Sequence, residues 1–335
     1  MKRLPGVARL LLAVVISAYS MAGMARADGF DMVALGVEGG LDSGNLSSYL
    51  IRASGDQHYL ALDAGTLLPG IAQGLRRHAF GSLPAQGGDT PQGHVFHQLI
   101  AGYFISHAHL DHVAGLVVAS PDDSGHKPVY ALAGTNDALS RDYFNWSAWP
   151  NLADRGKPPA LGRYRLQDEA PGAPFAVAGT TMSARIYPLW HDGVVSSMVL
   201  LKAGDDYFAY FGDTGPDALS GGHRLADIWA VLAPLVQRHV LKGMLIETSF
   251  PDDVPDKNLF GHLTPAWLLR ELQALAQAAG GAHALRGLPV VIGHIKPSLQ
   301  AGRDPRAVIA AELARGNTLG VAFRFPTQGE RLRFP

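Results

Sequence analysis

Four metal-binding side chains crowd into one short stretch: His107, His109, Asp111 and His112, in Ser106-His-Ala-His-Leu-Asp-His-Val113. Neutral imidazole and carboxylate are good ligands for zinc and for other borderline first-row divalent cations. In an extended segment, residues two apart point to the same side, so His107 and His109 can chelate one ion. Asp111 and His112 lie past the turn and can face a second position. One ion takes three or four protein ligands. Four potential ligands from a single loop, with others supplied from elsewhere, suggest two ions. The structural alternative is a solvated polar loop. Three imidazoles and a carboxylate directly after an apolar segment have little structural purpose without a metal.

The elements that must position this cluster are legible around it. Tyr103-Phe104-Ile105 reads as a buried strand and Val113 to Ala119 as the first turns of a helix, which places the cluster on a strand-to-helix loop. Thr181 to Leu189 alternates and runs into His191, and Tyr207 to Phe211 ends at Asp213. Both residues thus stand at the C-terminal end of a predicted strand, as His107 does. Leu241 to Ile246 closes on Glu247, and Pro289 to Gly293 ends at His294. Thr264 is a good N-cap with Pro265 at the first helical position, so His262 sits just before a helix N-terminus.

The rest of the chain reads as connected strands and helices. Phe30 to Val37 is a strand, and Glu38 to Asn45 is a glycine-rich connection lacking either phosphate-cradling glycine pattern; it reads as a tight loop near the site. Ser48 to Ala53 and His58 to Leu62 form a hairpin, and Thr66 to about Phe80 a helix. Asp63, between them, is a metal ligand, a carboxylate behind a ligand, or a residue that turns the backbone. Pro128 to Ala133 is a strand and Thr135 to Asn145 a helix. Residues 145–179 read as irregular, and their aromatics, with Phe144, Trp146 and Trp149, either stack on a flat ligand or pin the segment to the core. Ser197 to Leu201 pairs with Tyr207 to Phe211. Leu225 to Val240, the segment from Pro265 to about Gly280, and Pro305 to Arg315 are helices. Strands near Val321 to Phe325 and Arg331 to Phe334 close the chain. No internal repeat or linker is visible, and the mixture indicates a layered α/β architecture.

Composition narrows the class. The chain is 47% hydrophobic and 17% charged with a net charge of −1, which gives no electrostatic footprint for nucleic acid. Lys2, Arg3 and Arg9, an apolar run from Leu10, and Ala25-Arg26-Ala27 form a cleavable secretory signal peptide over 1–27. The mature chain, 28–335, reads as a single catalytic domain, periplasmic or secreted, with no stable membrane association. With no cysteine in the sequence, the metal ligands must be His, Asp and Glu.

These residues resemble a known family. The order His107-x-His109-x-Asp111-His112, His191, Asp213, His294 is similar to the metallo-β-lactamase superfamily. The longer string His-Ala-His-Leu-Asp-His-Val-Ala-Gly-Leu followed by Ala119-Ser120-Pro121 resembles the class II 3′,5′-cyclic-nucleotide phosphodiesterases. Leu35 to Gly40 with Gly44-Asn45-Leu46-Ser47, Leu62-Asp63-Ala64-Gly65 and Gly293-His294-Ile295-Lys296-Pro297 fit the same family, and the likeness covers essentially the whole mature chain. The resemblance implies a four-layer αββα sandwich with the site at one edge between two sheets. It implies two divalent ions, zinc with manganese or iron as alternatives. His107, His109 and His191 would hold one, Asp111, His112 and His294 the other, and Asp213 would bridge. Homodimers are common among such relatives.

The expected reaction is hydrolysis of a small 3′,5′-cyclic nucleotide, cAMP foremost, to the 5′-monophosphate. A hydroxide between the ions would attack in line with the 3′ oxygen, with Asp111 among the catalytic residues. The leaving alkoxide needs a proton, for which His262 is the candidate general acid with Glu247 orienting it; a similar pair works in the tRNA-processing branch. The alternative is that Glu247 is a structural carboxylate and His262 a helix-cap neighbour. Lys296 and Asn45 are candidate substrate contacts, a solvated surface lysine being the other reading of Lys296. Competing functions are another dinuclear hydrolase on the same site (lactonase, β-lactamase-like amidase, arylsulfatase-like esterase) and a non-catalytic exported metal-binding domain.

Overall fold

Strand β1 (Phe30–Gly36) is buried at all seven positions, which only a strand covered on both faces can be. Its alternation divides the burial: Phe30, Met32 and Ala34 face one apolar cluster, Val33 and Leu35 another. A computed structural model describes residues 29–83 and 87–335; the expected signal peptide lies outside them. Among the described residues no helix is long and apolar enough to cross a membrane.

The first seven-stranded sheet combines β1 with β2 (Ser48–Ala53), β3 (Tyr59–Leu62), β4 (Ile100–Phe104), β5 (Lys127–Ala131), β6 (Tyr164–Asp168) and, at its edge beyond β1, β14 (Arg331–Phe334). The second holds β7 (Phe175–Ala176), β8 (Ser183–His191), β9 (Val194–Ala203), β10 (Asp206–Phe211), β11 (Leu241–Glu247), β12 (Pro289–Gly293) and β13 (Ala322–Arg324). Between the sheets lies a core that includes Phe104, Tyr49 and Phe334 from the first and Val199, Phe208 and Tyr210 from the second. On the outer face of the first sheet pack α1 (Leu68–Arg76) and α3 (Leu110–Ala119), separated in sequence by the short α2 (Pro91–His94). The outer face of the second is covered by α6 (Arg224–Gln237), α7 (Pro265–Ala278) and α8 (Pro305–Gly316). This is the expected four-layer αββα sandwich.

The two halves repeat one topology. β1 to β6 pair in the order antiparallel, antiparallel, then parallel to the end. β8 to β13 run through the same succession. Asp63 and Asp213 consequently follow equivalent strands, β3 and β10. No sequence repeat announces this, because the pairing needs only apolar alternation and turns, which many sequences supply.

Several expected boundaries shift. The first helix is shorter than the apolar pattern suggested, ending at Arg76. The helix expected over 135–145 is α4 (Ala133–Ala138) followed by a π-helical turn, Leu139–Tyr143. A second π-helical turn, Val95–Leu99, extends α2 and was not anticipated. The segment 145–179 carries β6, which the surrounding prolines and glycines masked. Phe144, just ahead of it, is fully buried and Trp149 Nε1 donates to Ser120 Oγ at 3.2 Å, which pins its start to the core; Trp146 is exposed and donates within the segment, to the Pro159 carbonyl at 2.9 Å. β9 begins at Val194, so β8 and β9 form a hairpin turned at Asp192-Gly193, directly after His191.

Candidate active site

The strand ends of both sheets deliver their polar residues to one edge. His107 follows β4, His191 ends β8, Asp213 follows β10, Glu247 ends β11 and His294 follows β12. Asp111 and His112 lie in the first turn of α3. His107, His109 and His191 offer ligand atoms within 4.8 Å of one another, and so do Asp111, His112 and His294. Within these sets His191 Nε2 is 3.2 Å from His109 Nδ1, and His294 Nε2 is 3.2 Å from Asp111 Oδ2. Asp213 lies between the two groups. Its Oδ1 is 3.2 Å from His112 Nε2, while Oδ2 is 3.2 Å from His294 Nε2, 3.8 Å from His191 Nε2 and 3.9 Å from His107 Nε2.

Every buried imidazole of this set is gripped from behind at Nδ1. His112 Nδ1 lies 2.7 Å from Asp63 Oδ2, and His191 Nδ1 lies 3.0 Å from the Gly261 carbonyl. Both partners can only accept, so Nδ1 carries the proton and Nε2 turns a lone pair inward. His107 Nδ1 meets Ser106 Oγ at 3.1 Å, and His294 Nδ1 meets Ser249 Oγ at 2.9 Å. Those hydroxyls already donate, Ser106 to Asp63 Oδ2 at 2.7 Å and Ser249 to Glu247 Oε2 at 2.5 Å. They must therefore accept from the histidines, with the same result. Four inward lone pairs and two carboxylates converge. His107 Nε2 and His112 Nε2 are buried with no hydrogen-bond partner. Such atoms are costly unless something electropositive sits among them, and a divalent cation is the group this donor set fits.

The electrostatics agree with that fit. Burial, reinforced by the neighbouring His112, holds His107 well below the usual imidazole range. Burial brings His191 down to about 4 against the pull of Asp213. Both are thus neutral at ordinary pH, as ligands must be. His112 moves the other way: burial opposes its charge, but Asp213 and Asp63 raise it well above the ordinary value. Two carboxylates there demand a positive charge, and a cation at Nε2 answers that demand as a proton would.

Asp63 (φ 52°), Asp192 (φ 27°) and His294 (φ 55°) at this edge adopt left-handed conformations, uncommon for non-glycine residues though better tolerated by Asp and His than by most. The glycine-rich connection 38–45 lies against the site, as its position in the sequence suggested. A Cβ on Gly39 would come within 2.4 Å of the His294 ring, so only glycine lets the loop pass. The next amide, Gly40 N, donates to Asp111 Oδ2 at 3.1 Å.

Glu247 and His262 form a buried pair beside the cluster. His262 Nδ1 lies 2.7 Å from Glu247 Oε1, and the carboxylate also accepts from the amides of Thr214 and Ser249. Burial opposes the charged form of His262, yet Glu247, by charge and hydrogen bond, raises its pKa above the ordinary value. The imidazole ring of His262 stacks on His294 at 5.3 Å. Lys296 is half-buried on the loop after His294, with Nζ 6.0 Å from the centroid of the Phe250 ring. The structure gives Asn45 a loop-closing part: its Oδ1 accepts from Val37 N at 3.2 Å and its carbonyl from Val37 and Glu38.

Sequence reasoning missed Ser106, Ser249, Tyr210 and the Gly261 carbonyl, and left Asp63 open among three roles. The structure places the Asp63 carboxylate behind His112. It accepts from Ser106 N (2.7 Å), Ser106 Oγ (2.7 Å), His112 Nδ1 (2.7 Å) and Tyr210 Oη (2.6 Å). Only the position of Ser106 next to His107, and of Ser249 two residues after Glu247, could have signalled these positions.

Known proteins share this sequence and fold. The family profile of class-II cAMP phosphodiesterases matches residues 30–329. A chain from Yersinia pestis named "Probable 3′,5′-cyclic-nucleotide phosphodiesterase" is 48% identical over 327 residues, covering 97% of this chain and 95% of that one. The crystal structure of unliganded yeast PDE1 superposes with a TM-score of 0.80 at 24% identity, covering 92% of this chain and all 100% of that chain. The metallo-β-lactamase fold protein YhfI of Bacillus subtilis superposes with a TM-score of 0.57 at 16% identity, over 91% of this chain and 99% of that chain. The fold is that of the metallo-β-lactamases.

Proposed function

The chain belongs to the class-II cAMP phosphodiesterases and is a 3′,5′-cyclic-nucleotide phosphodiesterase; from that premise we propose that it opens cAMP to 5′-AMP with two divalent cations, zinc foremost, after export from the cytoplasm. The observation that carries the metal dependence is the convergence of four Nε2 lone pairs, each fixed by a partner at Nδ1, two of them buried without any other partner. His107, His109 and His191 would hold one cation, and Asp111, His112 and His294 the second, with Asp213 shared. An all-nitrogen and carboxylate set without thiolate suits zinc and admits manganese or iron. When bound, such cations activate water near neutral pH and neutralise charge on phosphoryl oxygens.

The chain's own groups handle the leaving side of the reaction. Water oxygen adds to phosphorus, the P–O3′ bond breaks, and the 3′ oxygen departs as a strongly basic alkoxide that must be protonated. His262 supplies the proton. Its Nδ1 is committed to Glu247, which leaves Nε2–H as the donor, and the carboxylate raises its pKa in favour of the charged form. Glu247 cannot itself deliver a proton, since it is buried, accepts from several donors and is held below the usual carboxylate range: burial works against its charge, but the His262 imidazolium outweighs it. Lys296 brings a positive charge near His262 and suits an anionic phosphoryl group. The signal-peptide pattern over 1–27 motivates export, and N-terminal sequencing of the chain recovered from the periplasm tests it, an N-terminus at Met1 being the contrary result.

The decisive assay follows conversion of 3′,5′-cAMP to 5′-AMP by the mature chain supplied with zinc or manganese, beside a chelated sample and Asp111→Ala. Turnover that chelation and the substitution both abolish is expected. Full turnover in the chelated sample would remove the metal mechanism. Turnover of cGMP with none of cAMP would remove the proposed preference.

A further inference from the structure

A cleft of about 510 Å³ opens directly beside the metal-ligand cluster, with His109 in its wall. Its two sides come from different sheets. One side is formed by Gly134 and Ala138 of α4 with Ala108 of the loop between β4 and α3; the other is the tip of the β8–β9 hairpin, Val194 and Val195. Small residues facing branched methyl groups make a mostly apolar cleft. Val195 is 48% exposed, although it belongs to a strand that is otherwise mostly buried. The charged rim is internally paired: Arg141 Nε and Nη2 donate to Asp142 Oδ1 and Oδ2 at 2.8 and 2.6 Å, so neither presents an unbalanced charge to the slot.

Gly134 is the second residue of α4, in the first turn of the helix. Its φ is not positive, and a Cβ there would meet nothing within 4 Å. Neither backbone conformation nor packing therefore asks for glycine. What its absent side chain leaves is room in the slot.

We propose that this cleft seats the purine base of the cyclic nucleotide, and that Gly134 and Val195 are its specificity-determining walls; this rests on the cyclic-nucleotide reading given above. An uncharged aromatic ring fits a mostly apolar cleft of this volume. Its position against His109 lets the base extend outward while the cyclic phosphate faces the ligand cluster.

The test compares the wild-type protein with Gly134→Leu and Val195→Trp, which fill the slot from opposite sides. Two substrates are used: cAMP, and a ribofuranoside 3′,5′-cyclic phosphate carrying a methoxy group in place of the base. The readout is the ratio of kcat/KM for cAMP to that for the base-less ring. The ratio is expected to fall at least about tenfold in each variant, mainly through the KM for cAMP. An unchanged ratio in a variant that still turns over the base-less ring overturns the assignment. If Gly134→Leu does not fold, Val195→Trp decides from the facing wall. Loss of both activities in both variants also overturns it, because a base seat does not touch the base-less ring. If the wild-type protein hydrolyses neither substrate, it is the underlying reading that has failed, and the two failures are thus distinct.

Discussion

Replacing Asp63 by asparagine tests the logic of the proposed metal centre at a residue outside the proposed ligand set. The carboxylate is fully buried and surrounded by donors: Ser106 N, Ser106 Oγ, His112 Nδ1 and Tyr210 Oη, all at 2.6 to 2.7 Å. Asparagine keeps one oxygen for Ser106 N but presents an NH₂ where Oδ2 was. The Ser106 and Tyr210 hydroxyls can rotate and accept. His112 has no such freedom. It either keeps its proton on Nδ1 against another donor, which costs about 1–3 kcal/mol, or moves the proton to Nε2 and loses the lone pair that faces Asp213. Either outcome weakens the site containing His112. Loss of a supporting carboxylate typically lowers metal affinity about 10–100-fold, or about 1.4–2.8 kcal/mol. Zinc competition against a chromogenic chelator, with the metal count per chain measured alongside, should show one of two cations weakened by that amount and kcat falling in parallel. Ser249→Ala is the comparison: it removes a neutral acceptor from His294 Nδ1 but introduces no opposing donor, so the affinity loss should be smaller. A folded Asp63→Asn protein that binds both cations with unchanged affinity would refute the tautomer argument.

Three further outcomes follow from the buried pairs. Glu247→Gln should lower kcat for cAMP by about 10²–10⁴ while lowering turnover of bis(p-nitrophenyl) phosphate much less, because p-nitrophenolate departs without a proton; equal losses on both substrates would remove His262 from the acid role. Glu247 raises the His262 pKa, so the imidazolium persists above the ordinary value and kcat for cAMP should decline only as pH climbs through that raised value; in Glu247→Gln the decline should begin at lower pH, and a pH–rate profile reads the difference. Far from the site, Lys127 Nζ donates to Asp123 Oδ1 at 2.6 Å and to the Phe96 carbonyl at 2.6 Å, while Asp123 also accepts from Tyr103 at 2.7 Å and Tyr164 at 3.0 Å. Lys127→Met leaves that carboxylate buried without its cation, and denaturant unfolding should show a loss of about 3–5 kcal/mol; a loss below about 1 kcal/mol would mean that the tyrosines alone satisfy Asp123.

The sequence by itself determined where chemistry could occur. His107, His109, Asp111 and His112 are neighbours along the chain, so covalent connectivity alone brings them together. His191, Asp213, Glu247 and His294 were legible for a related reason: each ends a short apolar run, and strand alternation is a local pattern. The layered α/β class followed from the same alternation interleaved with helical periods. The irregular look of 145–179 hid β6, whose short Tyr-Arg-Leu core is outweighed locally by the prolines and glycines around it.

The tertiary structure decided what those residues do to one another. Asp63 finds its partners 43, 49 and 147 positions away, and nothing in its own neighbourhood distinguishes a network centre from a turn residue. The Gly261 carbonyl reaches His191 across 70 residues, and Ser249 reaches His294 across 45. These contacts fix the tautomers of the four buried imidazoles, and through them the direction of their lone pairs. The slot beside His109 likewise exists only because α4 and the β8–β9 hairpin, carried by opposite sheets, meet at one edge. Backbone patterning is set by short-range sterics and can be read along the chain. Hydrogen-bond partnership and cavity shape are set by which strand ends the packed sheets bring face to face, and the topology repeated in the two halves is what brings Asp63 and Asp213 to the same edge.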